Sequence, residues 1–217
     1  MAFIDYFRKK QKAKKDNVID IDIIESLPTF SDEDLGLYWN RVTSDNIKEN
    51  EQYFEQMSSW SSDAGIQRYI ASRTPINKLF RDCISSGEHS SIKGKNNLYF
   101  CFNDNADFVG LAYISAPIGQ NKHSTLEYII VNPEFQRAGI GTKMVKSIST
   151  YINYFNNGNE CDGIVSSVEQ DNIASSRAFL KNNFKVVSAN TSDTGRIYNV
   201  FYLSARNKTS DIDSMVG

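Results

Sequence analysis

The residues between positions 125 and 141 have the types and spacing that a chemical site needs. Glu127 is the one acid within the apolar segment TLEYIIV (125–131), and strand alternation predicts that it shares a face with Ile129 and Val131. Burial disfavours a charged carboxylate and raises its pKa towards the range of a general base. Glu127 is therefore a candidate base. The alternative is a structural carboxylate that pairs with an arginine or accepts backbone N–H groups.

Two glycines, Gly139 and Gly141, follow this strand and open a helix. The first four N–H groups of a helix have no partner within it, and the helix dipole places partial positive charge there. Glycine also lets backbone approach a ligand without a Cβ in the way. This turn therefore suits a phosphate or pyrophosphate. The spacing Gln136-x-x-Gly139-x-Gly141 is neither GxGxxG nor GxxxxGK[ST], which argues against dinucleotide and P-loop sites.

The second half of the chain alternates strand and helix patterns. Short apolar and aromatic segments predict strands, and an apolar stripe after Gly139 predicts a long helix. The predicted strands are 98–102, 108–114, 125–131, 163–168, 184–187 and 198–203, and the predicted helices are 139–155 and 172–181. This order predicts a mixed α/β sheet with helices on its faces.

The first half is less regular. Residues 18–24 (VIDIDII) alternate apolar and acidic types, which predicts a strand with one buried face. Ser31 followed by Asp34 resembles a helix start, and a helical interpretation extends from there to about residue 92, broken at Pro75. Residues 85–97 have the composition of a loop.

Length and charge indicate one globular domain of roughly residues 18–206, between a basic arm (1–17) and a flexible tail (207–217). Residues 1–15 carry a net charge of +5 within a chain of net −2. The arm could anchor to an anionic surface or remain solvated. The overall charge argues against a general nucleic-acid binder.

The apolar segments are too short to span a membrane, and no signal-peptide core follows the basic start. Three cysteines and two histidines lack the spacing of a zinc site or a disulfide framework. We therefore expect a cytoplasmic protein that binds no metal.

Two segments together resemble a known family. VNPEFQRAGIG (131–141) resembles the acyl-CoA signature of the GNAT superfamily of N-acetyltransferases, in which a strand ending Val-x-Pro precedes Gln/Arg-x-x-Gly-x-Gly/Ala at a helix start. NIASSRAFLKNNF (172–184) is similar to the Asn-x-x-A…Y-x-x-x-G-F segment that follows the next strand. The resemblance covers about residues 98–204. It implies a mostly antiparallel central sheet, splayed at the acyl-CoA site and flanked by helices.

The resemblance also implies roles for individual residues. Ile129 and Val131 would offer main-chain hydrogen bonds to the pantetheine arm of acetyl-CoA, and Asn172 would contact that arm or close its thiol end. The backbone amides that would bind the pyrophosphate are those of Gln136, Arg137, Ala138, Gly139, Ile140, Gly141 and Thr142.

One position departs from the family pattern. Phe179 stands where relatives commonly have a tyrosine that acts as general acid for the leaving thiolate, so the resemblance implies that its ring packs at the thiol end of the pantetheine channel. Three alternatives remain: Tyr198 or Tyr202 acts as the acid, the thiolate leaves unaided, or the chain binds acetyl-CoA without turnover. Asn183 replaces the glycine of the closing Gly-Phe, which is tolerable because asparagine accepts left-handed backbone angles.

The resemblance implies an amine acceptor. In the family, the helices after the first strand help to wall the acceptor cleft, and residues 31–65 hold eight acids against Arg41 and Lys48. An acidic wall favours a cationic acceptor such as a polyamine, an aminosugar or a lysine. A solvated acidic helix face is the alternative.

We therefore expect an N-acetyltransferase that moves an acetyl group from acetyl-CoA to a primary amine by direct attack. The rival interpretation is a catalytically weak module that binds acetyl-CoA or docks a protein. The sequence leaves a homodimer open.

Overall fold

An eight-stranded open sheet forms the centre of the computed structural model, which describes residues 29–70, 74–86, 96–115, 122–155 and 161–205. The strand order is β1-β2-β3-β4-β5-β6-β8-β7. Only β5 and β6 pair in parallel, and every other neighbouring pair is antiparallel. The predicted fold class is confirmed. The strands are β1 (Thr29–Asp32), β2 (Leu37–Val42), β3 (Asn96–Asn103), β4 (Phe108–Ser115), β5 (His123–Val131), β6 (Gly163–Glu169), β7 (Lys185–Thr191) and β8 (Ile197–Ser204).

Helices cover both faces of the sheet. They are α1 (Glu51–Trp60), α2 (Ala64–Tyr69), α3 (Ile76–Ser86), α4 (Ile140–Thr150), α5 (Ile152–Phe155) and α6 (Ile173–Lys181). No helix in these described ranges is long and apolar enough to cross a membrane.

Each face has its own hydrophobic core. On the α1 face, Phe54 and Phe80 from the helices pack with Phe100 and Leu111 of the sheet. On the α4 face, Met144 packs in one cluster with strand residues that include Trp39 and Phe201. The described members of the α1-face core come from β2, α1–α3 and β3–β5, and β6, α6, β7 and β8 contribute none. The α1-face core therefore ends at β5.

The helical interpretation of the first half is partly wrong. Ser31 lies in β1, and a turn with a left-handed Gly36 (φ 64°) connects β1 to β2. β2 (LYWNRV) is buried on both sides, so it shows no alternation that would distinguish it from a helix. The helical prediction is confirmed for residues 51–60, 64–69 and 76–86, which form α1, α2 and α3. The helix α3 begins directly after Pro75, where a break was predicted.

Other predicted boundaries shift or fall outside the described ranges. The predicted helix 139–155 is interrupted at Tyr151 (φ −116°, ψ 34°), and the short α5 then brings the Phe155 ring 5.2 Å from that of Trp39. The predicted loop 85–97 is wrong at both ends, because α3 continues to Ser86 and β3 begins at Asn96, and residues 87–95 lie outside the described residues. The predicted strand 18–24, the basic arm and the tail after residue 206 lie outside the described residues.

Candidate active site

The parallel strands β5 and β6 separate after three paired positions. Their register pairs His123 with Gly163, Ser124 with Ile164, and Thr125 with Val165. The Ser166 hydroxyl then donates to the Leu126 carbonyl at 2.9 Å, and beyond it β5 continues to Val131 and β6 to Glu169 with no further ladder pairs between the two strands. We call the space between residues 127–131 and 167–169 the gap. Ile129 and Val131, for which the resemblance implies contacts to the pantetheine arm, lie on β5 beside the gap and are half-buried.

Glu127 lies at a β-bulge next to the gap. The β4–β5 register pairs Tyr113 with Tyr128 and Ile114 with Leu126, so Glu127 has no residue opposite it. Leu126 belongs to the α4-face core, whereas Tyr128 packs on the α1 face. We predicted from regular strand alternation that Glu127 shares a face with Ile129 and Val131. Because the bulge interrupts that alternation, it no longer supports this prediction. Bulges re-aim side chains and are frequent beside active sites.

Polar groups of β4 and β5 lie at this bulge. The Ser115 hydroxyl on β4 donates a hydrogen bond to Oε1 of Glu127 at 3.1 Å. Burial raises the pKa of Tyr128, and the charges of Glu127, Cys83 and Tyr198 raise it further. Tyr128 therefore stays protonated near neutral pH and can donate a hydrogen bond.

The turn after β5 presents unpaired amides. Asn132 stabilises the start of this turn with two side-chain hydrogen bonds. The Oδ1 atom of Asn132 accepts from the Glu134 amide at 3.1 Å, and Nδ2 donates to the Phe108 carbonyl at 2.9 Å. Gly139 (φ 78°) then caps α4 in the left-handed conformation. No described residue accepts a hydrogen bond from the amides of residues 137–142. The Gln136 amide differs, since it donates to the Pro133 carbonyl at 3.3 Å.

The two glycines of this turn have different surroundings. A Cβ at Gly139 would meet no atom within 4 Å, so the backbone there faces open space. A Cβ at Gly141 would lie 3.3 Å from Cγ2 of Val131, so Gly141 permits close packing of α4 on β5. Exposed amides, a helix N-terminus and open space in front of Gly139 fit a pyrophosphate. The predicted positions Arg137, Ala138, Ile140 and Thr142 lie in or directly after this turn.

The start of α6 lies at the end of β6. Asn172 caps α6, because its Oδ1 accepts from the Ser175 amide at 3.1 Å. Phe179 is only 3% exposed. Its ring stacks on Phe201 at 5.3 Å and meets the edge of Phe184 at 5.0 Å. The structure thus places Phe179 in the α4-face core. Asn183 has the left-handed φ (63°) that the sequence predicted.

The two candidate acids lie at different ends of β8. Tyr198 pairs with Glu169, at the end of β6 that borders the gap, and its hydroxyl has no hydrogen-bond partner in the described ranges. Tyr202 pairs with Val165, where β5 and β6 are still joined. Its hydroxyl donates to the Asp162 carbonyl at 3.3 Å. The structure therefore brings Tyr198, but not Tyr202, to the gap.

Several acids of the predicted acidic wall have structural partners. Asp63 caps α2 by accepting from the Ile66 amide at 2.9 Å, and Asp32 is 3% exposed. Glu51 pairs with Arg81, whose hydrogen bond lowers the pKa of Glu51. Asp32 is a buried strand residue and Asp63 a helix cap, so neither belongs to a solvated helix face, whereas Glu51 lies exposed on α1 and fits that alternative.

An open cavity of about 810 Å³ lies between α1, the β3–β4 turn and the start of the turn after β5. It is lined by residues such as Trp60 and Phe108 and includes none of the predicted site residues. Within the described part of the chain, no three His, Cys, Asp or Glu side chains are grouped as metal ligands would be.

Sequence reasoning missed Ser115 and Tyr128. Tyr128 adjoins Glu127 in the same apolar segment, so its position in the strand could be predicted. Its place beside the candidate base depends on a bulge that no residue type in the segment indicates. Ser115 ends an apolar strand and carries no motif. Its contact with Glu127 follows only from the register between β4 and β5.

Comparison with known proteins identifies the family of this chain. A family described as "Acetyltransferase (GNAT) domain" matches residues 29–185. The chain belongs to the GNAT acetyltransferase family, and the predicted enzyme class, an acyl-CoA-dependent N-acyltransferase, is confirmed. No protein with a curated description matches the chain.

Solved structures show the same fold. Spermidine N-acetyltransferase from Vibrio cholerae in complex with CoA and spermine has a TM-score of 0.60 at 11% identity, covering 79% of this chain and 96% of that one. An acetyltransferase from Salmonella typhimurium that modifies the N-terminal serine of ribosomal protein L7/L12 has a TM-score of 0.57 at 17% identity, covering 78% and 95%.

Proposed function

We propose that this protein transfers an acetyl group from acetyl-CoA to a primary amine by direct attack, with Glu127 as the general base. The observation that carries the proposal is the position of Glu127. It lies at a bulge, half-buried, two residues beyond the last paired position of β5 and β6. Because the Ser115 bond holds Oε1 on the β4 side of β5, Oε2 would be the oxygen that contacts a group held between the separated strands.

Acetyl-CoA would bind along the gap. Its pyrophosphate would accept hydrogen bonds from the free amides of residues 137–142, supported by the N-terminal dipole of α4. The pantetheine arm would pass β5 at Ile129 and Val131 and end near Asn172. Arg137 and Lys143 are both exposed and could neutralise phosphate charge.

The transfer would be a single displacement at the thioester carbonyl. Glu127 takes a proton from the substrate ammonium, directly or through water, and the freed amine nitrogen attacks the carbonyl carbon. The new C–N bond forms, the nitrogen loses its remaining extra proton to water, the C–S bond breaks, and the sulfur leaves as a thiolate. Tyr198 would donate its proton to the thiolate and regain one from solvent, and Glu127 would release its proton to solvent. A thiol pKa of roughly 8.5 also permits departure unaided.

The cysteines favour direct attack over an acyl-enzyme. Cys83 and Cys101 are buried, and burial raises the pKa of both thiols, that of Cys101 well above its ordinary value. A buried thiol with a raised pKa is a poor nucleophile. Cys161 is half-buried and lies outside the matched motifs.

The acceptor is an amine. Among proteins of the same fold, one is named for spermidine and another for a protein N-terminus. Both acceptors present a primary or N-terminal amine. A small cationic amine and a polypeptide amine are thus the two acceptor classes to compare.

The test is thiol release from acetyl-CoA with a panel of amines that includes spermidine, an aminosugar, N-acetyl-lysine amide and a short peptide. We expect amine-dependent release and an acetylated amine detectable by mass spectrometry. Acetyl-CoA binding without release by any amine would instead support the catalytically weak module, for which the missing phenol at Phe179 is the supporting observation.

A further inference from the structure

The sheet consists of two halves that are joined at the start of the gap. Along the gap, β5 stays paired with β4 and β6 stays paired with β8. Between the halves, the β5–β6 ladder ends at the pair of Thr125 with Val165. The contact that follows this pair is the hydrogen bond from the Ser166 hydroxyl to the Leu126 carbonyl at 2.9 Å. A side chain thus continues the connection where the ladder ends.

The hydrogen bond between Ser166 and Leu126 is buried in the α4-face core. Leu126 belongs to that core, and Ser166 is only 4% exposed. Ile164 and Val168 lie two residues to either side of Ser166 and belong to the same core, so strand alternation places the Ser166 side chain among apolar groups. The backbone of Ser166 is fixed on its other side, because it pairs with Phe201 of β8. The hydroxyl and the carbonyl therefore satisfy each other where water has little access.

The Leu126 carbonyl belongs to the peptide unit that leads into Glu127. A peptide unit is planar, so its oxygen, its nitrogen and the Cα that follows move together. The Ser166 bond therefore fixes the Cα of Glu127, at the bulge where no residue of β4 lies opposite it. The Ser115 hydroxyl holds the other end of the same residue, at Oε1 of the carboxylate. Glu127 is thus held at its backbone from β6 and at its side chain from β4.

We propose that Ser166 is a positioning residue for acetyl transfer, because its hydroxyl holds the peptide before Glu127 and thereby directs the carboxylate into the gap. This inference rests on the proposed function. It gives a role to a residue that lies outside both family segments, 131–141 and 172–184. Without the hydroxyl, the Leu126 carbonyl would be a buried acceptor that lacks its partner, and its peptide would rotate towards another donor. The Cα–Cβ bond of Glu127 would turn with it.

Two variants at position 166 test this role. Ser166→Ala removes the donor, and Ser166→Thr keeps it. With the best amine of the panel and saturating acetyl-CoA, kcat should fall about tenfold to a hundredfold in Ser166→Ala, because a small misplacement of a catalytic group has an effect of this size. Ser166→Thr should recover most of the lost rate. Acetyl-CoA affinity should stay within about threefold of the wild-type value in both variants, since the amides of residues 137–142 keep their places.

The matched control is Ser147→Ala. Ser147 is fully buried, and its Oγ accepts a hydrogen bond from Nε1 of Trp39 at 3.1 Å. Trp39 lies on β2, which β3 and β4 separate from β5. Each alanine variant leaves one buried polar group unpaired, so Tm should fall by about 2–10 °C in both.

Only the Ser166 variant should lose rate. Equal kcat in Ser166→Ala and Ser147→Ala would overturn the proposal, because the effect of Ser166 would then be on stability alone. A Ser166→Thr variant with the Tm of the wild type and the low kcat of Ser166→Ala would also overturn it, because the hydroxyl would then not be the group that matters.

Failure of the proposed function gives a different result. If the wild type transfers no acetyl group to any amine, amide hydrogen exchange in residues 126–131 still measures how firmly Ser166 holds β5. Faster exchange in Ser166→Ala than in Ser147→Ala would support this anchoring of the strand, and equal exchange would contradict it.

Discussion

The Ser115 hydroxyl donates a hydrogen bond to Glu127 from the strand next to the bulge, at 3.1 Å. Ser115 is buried, so the bond holds one carboxylate oxygen on the β4 side of β5. The bulge gives Glu127 its position, and Ser115 limits its orientation. Two residues with no shared motif thus set the geometry of the candidate base.

Ser115→Ala tests this positioning role. The hydroxyl stabilises the ionised carboxylate, so its loss should move the acidic limb of the pH profile of kcat/KM to higher pH. We expect kcat to fall less than in Glu127→Gln, by about tenfold or less. A uniform loss of rate with an unmoved acidic limb would show that Ser115 serves only stability. Acetyl-CoA affinity, measured by calorimetry, should stay at the wild-type value.

Gly139→Val tests the pyrophosphate turn. The valine side chain would occupy the open space in front of the free amides, so acetyl-CoA affinity should fall at least about tenfold. Valine also strains a left-handed position, by about 1–2 kcal/mol. Gly195→Val controls for this strain, because Gly195 has φ 80° and equally open surroundings, but lies between β7 and β8. Equal affinity losses in both variants, measured by calorimetry, would refute the assignment.

Tyr198→Phe and Tyr202→Phe separate the candidate acids. Tyr198 borders the gap, so removing its hydroxyl should lower kcat by about tenfold to a hundredfold. Tyr202 donates to the Asp162 carbonyl, so removing its hydroxyl should lower the free energy of unfolding by about 1 kcal/mol with little change in kcat. Steady-state rates and thermal unfolding distinguish the two. An unchanged kcat in Tyr198→Phe would mean that the thiolate leaves unaided.

Phe179→Tyr tests whether the family position of the general acid can be restored. The ring stacks on Phe201 in the core, so the added hydroxyl would be buried. Burial without a partner costs about 1–3 kcal/mol, and Tm should fall by roughly 2–10 °C. We expect kcat to change by less than about tenfold. A larger increase in kcat at unchanged Tm would show that the ring faces bound acetyl-CoA.

Much of the second half could be predicted from the sequence, because its elements alternate and their apolar residues repeat with a clear period. The Gly139 turn combines a strand, a left-handed glycine and a helix within a few residues, and local rules suffice for such a unit. The strand β2 was misassigned because burial on both faces removes the period-two pattern.

The environment of Glu127 could not be predicted in the same way. Its bulge depends on the register between β4 and β5, and register is a long-range property of two strands. The ion pair between Arg68 and Asp171 joins residues 103 positions apart, and no local pattern encodes such a contact. The burial of Phe179 also depends on Phe201, which lies on another strand.

The most direct test of the account is the rate of acetyl transfer by Glu127→Gln, which keeps the shape of the side chain and removes its basicity. Glu55→Gln, an exposed acid on α1, is the matched control. With the best amine of the panel and saturating acetyl-CoA, kcat should fall by roughly 10²–10⁴ in Glu127→Gln and remain unchanged in Glu55→Gln. Acetyl-CoA affinity should stay near the wild-type value in both. A wild-type kcat in Glu127→Gln together with a lower Tm would contradict the account, because Glu127 would then be a structural carboxylate.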